Sequence, residues 1–467
     1  MEKKYQKLIK NTVIFSIGEF ANKILNFLIV PLYTYVLTTE QYGQIDLLTT
    51  SISFLIPIIT LQIHEAMLRY LLGKEIDHDT AVSNCWAVYI CGALFTTALY
   101  PGYFSIFGSH KLALIFTVSV IMSAFNGIFV HYLRAVGKTV EYTAKGVLGT
   151  TVNLACNVLF VLILKLGMDG YLFAMLISQA VGVCYMLSVG GLKKHLNFRA
   201  VNKAALWEML RYSIPLIPNT MMWWIMSAGD KYIINWVLGD SANGLYSLAL
   251  KMPTIISLFY AFFYQAWQMS AIEENNSTQR DRMYNAVYRL TNALLILMVS
   301  GVVLIIKPLY VLIISERFAP SWMYVPILTL ATAFSCQASF FGVVYTTTKA
   351  TQKVFSTTAL GAIINLAFNA LLIRPLELHG VAIGTFMGYV TVACVRAYDT
   401  RKVIKIDFDF HRLLLGCIVL LIQIVATLRM HTMINGIGVL CFVLLTVIYR
   451  KEVMQILKTI IRKFLRK

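Results

Sequence analysis

An all-α integral membrane fold of about fourteen transmembrane helices follows from three features of this 467-residue chain: its apolar stretches, their repetition in two halves, and the side on which its positive charges fall. The chain is 58% hydrophobic and 13% charged, with a mean hydropathy of +0.70. Soluble domains are nearer half apolar and about 25% charged. A hydrocarbon core of about 30 Å takes roughly 20 apolar residues per helix. Stretches of that kind run over residues 11–37, 43–68, 82–107, 112–133, 143–165, 170–192, 212–238, 244–270, 286–307, 321–345, 354–374, 379–396, 412–429 and 432–449. The second six repeat the pattern of the first six, and six consecutive spans return a chain to its starting side. Two parallel six-helix bundles related by a pseudo-two-fold axis along the membrane normal are therefore expected, with two further C-terminal helices. The expected domains are residues 1–203, 204–405 and 406–467.

Taken in order, the first span follows Lys3, Lys4, Lys7 and Lys10. It is too long for a signal peptide and lacks a small-residue cleavage site, so it stays as a helix. Spans 3 and 4 are separated by Phe107-Gly108-Ser109-His110-Lys111, a turn. Span 5 carries Gly149, Asn153 and Asn157, and Gly170 opens span 6; span 11 carries Gly361, Asn365 and Asn369, and Gly380 opens span 12. The offset is 212 residues, shrinking to 210 at the last glycine. Val36-Leu37 and Gly43 recur as Val237-Leu238 and Gly244, at offset 201. Spans 13 and 14 fall outside the repeat and are expected beside the second bundle. The paired asparagines lie at i and i+4, on one helix face. Interhelical hydrogen bonding within each bundle and lining of a polar cavity are both open to them.

The net charge of +18 does not point to nucleic acid. With the N-terminus inside, inward segments hold 31 of the 40 Lys and Arg, outward loops hold six, and Lys23, Lys231 and Lys251 lie within spans. This asymmetry is the positive-inside rule, which places both termini in the cytoplasm. The basic tail from Arg450 to Lys467 reads as a helix on anionic headgroups. Eight cysteines with no CxxC pair and no His/Cys cluster read as packing residues, neither disulfide nor metal. Gly137-Lys138-Thr139 is no phosphate loop, because Tyr132 occupies the first glycine position.

Charges inside spans carry more information. Glu19 and Lys23 in span 1, Asp46 in span 2, Asp230 and Lys231 in span 7, and Lys251 in span 8 stand among apolar neighbours. Each costs roughly 2.5–3.5 kcal/mol at a bilayer centre, so six facing lipid unpaired would cost on the order of 15 kcal/mol. They must face protein or water. All six come from spans 1, 2, 7 and 8, equivalent elements of the two halves, which predicts one central cavity between the bundles. Glu19, Lys23 and Asn26 share a face, as do Asn219, Trp223, Ser227 and Asp230. Because the six charges sum to zero, internal ion pairs that only orient helices remain the alternative reading.

Several of these residues sit in motifs that resemble a known family. The motifs are Pro31, Leu37 and Tyr42-Gly43; Ala66-Met67-Leu68-Arg69-Tyr70; Tyr212-Ser213-Ile214-Pro215-Leu216-Ile217-Pro218; Asp230-Lys231-Tyr232-Ile233-Ile234; Leu238-Gly239; Gly244 through Tyr246 to Lys251; and Phe263-Tyr264-Gln265-Ala266-Trp267. Together they resemble bacterial polysaccharide-repeat-unit flippases of the multidrug/oligosaccharidyl-lipid/polysaccharide exporter superfamily. The resemblance spans the first twelve helices. It implies two six-helix bundles in a V that open alternately to each side of the bacterial cytoplasmic membrane, and a polyprenyl-pyrophosphate-linked oligosaccharide as cargo.

That cargo has a polar glycan and a pyrophosphate that cannot cross hydrocarbon, and a tail that prefers lipid. A wet cavity lined by amides and aromatics suits the sugar, and cations suit the phosphates. The expected cavity residues are Lys23, Lys231, Lys251, Glu19, Asp46, Asp230, Asn219, Trp223 and Gln265. Arg69 and Arg134 are expected at its cytoplasmic mouth, or as topology charges alone. The acids are expected to hold the lysines when the site is empty, and one of them to bind a coupling proton or cation. No catalytic residue, metal site or bound cofactor is expected; the driving force is an H+ or Na+ gradient or the membrane potential. Expected partners are the lipid-linked glycan, membrane lipids, and a polysaccharide polymerase or other assembly proteins. The competing readings are a flippase for the lipid-linked peptidoglycan precursor and a cation-coupled multidrug antiporter of the same superfamily. An enzyme is not expected, since no outward loop exceeds about a dozen residues.

Overall fold

The computed structural model describes residues 22, 24, 25, 27–189, 191–195, 200–273, 279–348, 350–430, 436–455 and 458. Every regular element among them is helical. Helical residues fall within each of the fourteen expected stretches. Nine of these helices are by themselves long and apolar enough to cross a membrane, or ten if one bent pair counts as a single span. The chain is a multi-pass membrane protein. It divides into two compact units, residues 1–224 and 225–467.

The first unit begins with α1 (Val30–Val36) and α2 (Thr39–Ile59). Thr38 starts α2 with a capping box: its hydroxyl accepts from the Gln41 amide at 3.1 Å, while Gln41 Oε1 accepts from the Thr38 amide at 3.2 Å. The second expected span is broken. Leu61 and Gln62 adopt positive φ, and α3 (Ile63–Gly73) follows as a separate helix. Gln62 Nε2 donates to Thr220 Oγ1 at 2.8 Å, which supplies a partner where the helical ladder stops. The third span is likewise α4 (His78–Ala98) and α5 (Tyr100–Phe107), divided ahead of Pro101. Gly108, at φ +61, ends α5, and Ser109 caps α6 (His110–Ala135), so the expected turn is present. α7 (Thr139–Asn157) loosens into a π-turn over Val158–Ile163, and α8 (Gly167–Ser188) returns against it.

α9 (Lys203–Ser213) explains why the units divide at 224/225 and not at 203/204. Asn202 caps it, and the Asn202 amide donates to Asn84 Oδ1 of α4 at 3.1 Å. Met209 is fully buried in the apolar cluster of Met67, Phe125, Phe129 and Leu133. The connecting helix is thus held by the first unit's own core.

α10 (Ile217–Ala228) leads into the second unit, which continues with α11 (Asp230–Leu238), α12 (Asp240–Ala249) and α13 (Thr254–Glu273). α12 and α13 bend by 46° at Lys251 and its neighbours. α14 (Arg280–Ile313) and α15 (Val325–Thr347) precede α16 (Thr351–Thr400), a continuous run in which Glu377 leaves helical geometry. That kink falls between expected spans 11 and 12. α17 (Phe410–Arg429) and α18 (Gly436–Ile448) pack on α14, as expected for the two extra helices. Gln423 fastens the three: its Oε1 accepts from Ser300 Oγ at 2.6 Å, and its Nε2 donates to the carbonyls of Ser300 at 3.0 Å and Gly438 at 3.3 Å. Such bonds are modest glue where no apolar force distinguishes helix from lipid.

The repeated glycines do the same work in each unit. A Cβ on Gly170 would lie 2.9 Å from the Phe160 carbonyl carbon, and one on Gly380 would lie 2.3 Å from the Leu372 carbonyl oxygen. Phe160 and Leu372 are themselves 212 residues apart, the offset of the repeat. Each hairpin closes backbone against backbone where only glycine fits.

Candidate functional site

α11 places Asp230 in its first turn, 4% exposed and within the second unit's interior. Asp230 Oδ1 accepts from Asn369 Nδ2 at 2.6 Å. Asp230 Oδ2 lies 2.5 Å from Thr385 Oγ1 and accepts from the Tyr246 hydroxyl at 3.4 Å. Thr385 Oγ1 also lies 2.9 Å from that hydroxyl and 3.0 Å from the Val381 carbonyl. The two halves of α16 and the helices α11 and α12 thus converge on one carboxylate. The oxygens outnumber the protons available to them: Thr385 has one hydroxyl proton for several acceptors, and the buried Asn369 Oδ1 has no donor. No ion pair among the described residues joins Asp230 to a lysine. A buried carboxylate without a cation costs several kcal/mol. Carboxylate, hydroxyl, amide and carbonyl oxygens together are the donor set of a hard cation, and the same cluster serves a proton.

Glu19, Lys23 and Asn26 lie outside the described residues. Asp46 is buried on α2, close enough to Tyr42 and Tyr171 to interact with them electrostatically. Lys231 is half-buried on α11, one position beyond Asp230 and so about 100° around the helix from it. Lys251 is half-buried at the α12–α13 bend. Asn219 and Trp223 are half-buried on α10, and Asn219 Oδ1 is a buried acceptor with no donor. Gln265 belongs to α13, its side chain outside the described set. Arg69 is exposed and stands over the Tyr212 ring at 5.2 Å; Arg134 is exposed over Tyr142 at 5.8 Å.

The two asparagine pairs differ. Asn157 Nδ2 turns back on its own helix, to Asn153 Oδ1 at 2.7 Å and the Asn153 carbonyl at 2.8 Å. Asn369 Nδ2 lies 3.5 Å from Asn365 Oδ1 but makes its short bond, 2.6 Å, across to Asp230. Tyr246 and Thr385 escaped sequence reasoning as ligands: a lone hydroxyl in an apolar helix looks like packing. Lys145 escaped as well. It sits two residues inside the stretch beginning at 143, at a helix end where inward topology charges fall, yet it lines a polar cavity of about 330 Å³ in the first unit.

The fold is similar to that of the lipid II flippase MurJ in an inward closed conformation, with a TM-score of 0.71 at 14% identity over 94% of this chain and all of the other. It is similar to a multidrug resistance MATE family transporter of the MOP superfamily in an inward-facing conformation, with a TM-score of 0.67 at 14% identity over 88% of this chain and 96% of the other. A MOP superfamily transporter from Pyrococcus furiosus, described by the reverse polarity of its binding pocket, gives a TM-score of 0.58 at 15% identity over 91% and 96%. No curated protein sequence matches the chain. A family model described as polysaccharide biosynthesis protein matches residues 8–268, more than half of the length. The chain therefore belongs to the polysaccharide biosynthesis protein family and has the fold of MOP superfamily transporters.

Proposed function

We propose that this chain is a flippase that carries polyprenyl-pyrophosphate-linked oligosaccharide repeat units from the cytoplasmic to the outer leaflet of a bacterial cytoplasmic membrane by alternating access, with both termini in the cytoplasm. Membership of the polysaccharide biosynthesis family carries this reading, since a multi-pass transporter fold in a family that serves glycan assembly suits a lipid-linked glycan as cargo. The chain acts on that cargo by moving it and makes or breaks no covalent bond. The solved flippase MurJ, which has the same fold, gives the reading independent support.

Asp230 is the coupling group in this proposal. Binding of a proton or sodium ion to the carboxylate neutralises a charge that the second unit otherwise buries alone. The ion's differential affinity for two conformations then biases one over the other. Asn369, Thr385 and Tyr246 hold the carboxylate, and Asn369 Oδ1 and the Val381 carbonyl complete an oxygen set for a cation.

Reconstituted vesicles test the cargo. Fluorescent polyprenyl-pyrophosphate repeat unit in the inner leaflet is expected to reach an external glycosidase only with active protein and an imposed H+ or Na+ gradient. Transport of the lipid-linked peptidoglycan precursor, or of a cationic drug, in place of the repeat unit would replace the proposal with the corresponding superfamily activity.

A further inference from the structure

The duplication makes each unit a control for the other. In the first unit, α6, α7 and α8 line an open cavity of about 330 Å³, with Ser123, Asn126, Lys145, Thr150, Asn153 and Gln179 among its walls. In the second unit, the offsets of 212 and 210 residues put Thr357 at the place of Lys145, Ala362 at that of Thr150, and Tyr389 at that of Gln179. There the space is filled. Met226, Ala338, Ala362, Val392 and Ala393 form a buried apolar cluster with Tyr389 against it. A Cβ on Gly361 would lie 2.2 Å from Val392 Cγ2, whereas one on its counterpart Gly149 meets nothing nearer than Ser178 Oγ at 3.8 Å. Asp230 shows the opposite contrast: Ile29, Ile45 and Met175 stand at the first-unit positions of Asp230, Tyr246 and Thr385. At these paired positions the second unit has a buried acid and packed helices, and the first has a lysine beside an open polar cavity; the second unit's own buried cation, Arg396, is spent on the Thr357 and Thr358 hydroxyls and the Ala338 carbonyl.

The cavity is rich in donors. Among the described residues Lys145 makes no hydrogen bond or ion pair, and none of those that line the space is acidic. Gln179 uses Oε1 to accept from Ser123 Oγ at 3.2 Å, and Asn153 uses Oδ1 to accept from Asn157. The Nε2 and Nδ2 groups of these two amides remain as donors. Asn126 spends Nδ2 on the carbonyls of Met122 at 3.0 Å and Gln179 at 3.2 Å, which leaves its buried Oδ1 as an acceptor without a donor. An ammonium and two amide donors beside one acceptor match a carboxylate flanked by a hydroxyl. The volume lies at the small end of the roughly 300–1,000 Å³ of ligand pockets, room for a sugar ring.

We propose that this cavity is a saccharide subsite that takes an acidic sugar, a single ring bearing a carboxylate, with Lys145 as its anion partner. The inference rests on the reading of the cargo as a glycan and names the class of glycan: a repeat unit containing a uronic acid or a comparable acidic sugar.

Saturation-transfer NMR on the full-length protein in nanodiscs, titrated with methyl glucuronide, methyl glucoside and inorganic pyrophosphate, tests it. The glucuronide is expected to bind at least about tenfold tighter than the glucoside, or about 1.4 kcal/mol. Lys145→Gln should lower the glucuronide to the affinity of the glucoside and leave the glucoside unchanged, while Lys145→Arg keeps the preference. Gln179→Tyr, which installs the ring the second unit carries at that position, should weaken both sugars. Equal affinities in the unmodified protein, or a preference that survives Lys145→Gln, overturns the inference. So does Lys145-dependent binding of pyrophosphate tighter than that of the glucuronide, which assigns the cation to the phosphates of the lipid linker. Should Lys145→Gln fail to fold, the unmodified protein and Gln179→Tyr decide the matter: undiminished glucuronide binding in Gln179→Tyr places the ligand elsewhere. None of these measurements involves translocation. A protein that binds glucuronide through Lys145 but moves no lipid-linked glycan rejects the flippase reading alone.

Discussion

Replacing Asp230 with Asn removes one charge and almost no volume, and the structure sets opposite expectations for stability and for coupling. The native carboxylate accepts from Asn369 at 2.6 Å and from Tyr246 at 3.4 Å, and meets Thr385 at 2.5 Å. Hydrogen bonds to a charged group contribute about 1.5–3 kcal/mol each. Against this stands the desolvation of a buried carboxylate, again several kcal/mol, which Asn does not incur. The terms have similar size and opposite sign, so folded stability should change by no more than about 2 kcal/mol. Coupling should change far more. Two unit charges about 4 Å apart at an effective dielectric of about 20 attract by about 4 kcal/mol, close to a thousandfold in cation affinity. The assay pairs thermal unfolding in sodium and in choline chloride with translocation in vesicles. Sodium at a hundred times its dissociation constant stabilises by about 2.7 kcal/mol, and that increment should vanish in Asp230→Asn. If a proton is the ligand, the increment is absent from the unmodified protein and translocation follows the pH gradient. A folded Asp230→Asn protein that translocates with unaltered dependence on both gradients refutes the assignment.

Gly384→Ala should destabilise the protein by about 1–3 kcal/mol and impair coupling, because its Cβ would fall 2.0 Å from Asn369 Oδ1 and 3.1 Å from the Asn369 amide nitrogen, forcing the Asp230 partner aside. Gly102→Ala, with nothing within 4 Å, is the control and should leave thermal stability unchanged. Cysteine labelling of intact cells should find residues 38–42, 239–243 and 375–378 external and residues 193–207 and 450–467 internal; an external C-terminal tail would overturn the fourteen-span topology. Neutralising Lys23, Lys231 or Lys251 should abolish glycan-lipid export while the protein still reaches the membrane, since a cation in a low-dielectric site is worth far more to phosphate than at a wet surface. Paired neutralisations, Glu19→Gln with Lys23→Gln and Asp230→Asn with Lys231→Gln or Lys251→Gln, should not restore it; normal export by the pairs would make the lysines structural.

Hydropathy and length alone determined that this chain is a bundle of membrane helices, because in lipid a backbone must satisfy its own hydrogen bonds and helices are the local way to do so. Self-similarity determined the hairpins that Gly170 and Gly380 close, since backbone contact at those points tolerates no side chain. Only tertiary structure decided which polar residues meet. Asp230 stood next to Lys231 in sequence, which invited an ion pair, but neighbours on a helix point apart. The partners that the fold brings to Asp230 come from positions up to 155 residues away, in Asn369 and Thr385. One helix break was equally hidden: neither Leu61 nor Gln62 is a glycine or proline, both have positive φ, and Gln62 bonds to Thr220, 158 residues away. Lys145 is the plainest case. By position it is one more charge near a helix end. Its cavity exists because small and polar residues on α6 and α8 leave space opposite it, where the duplicated copy packs a tyrosine, a valine and a methionine. Local sequence sets the period of a helix, but a cavity is a difference between surfaces from three helices, and that difference is settled only when they pack.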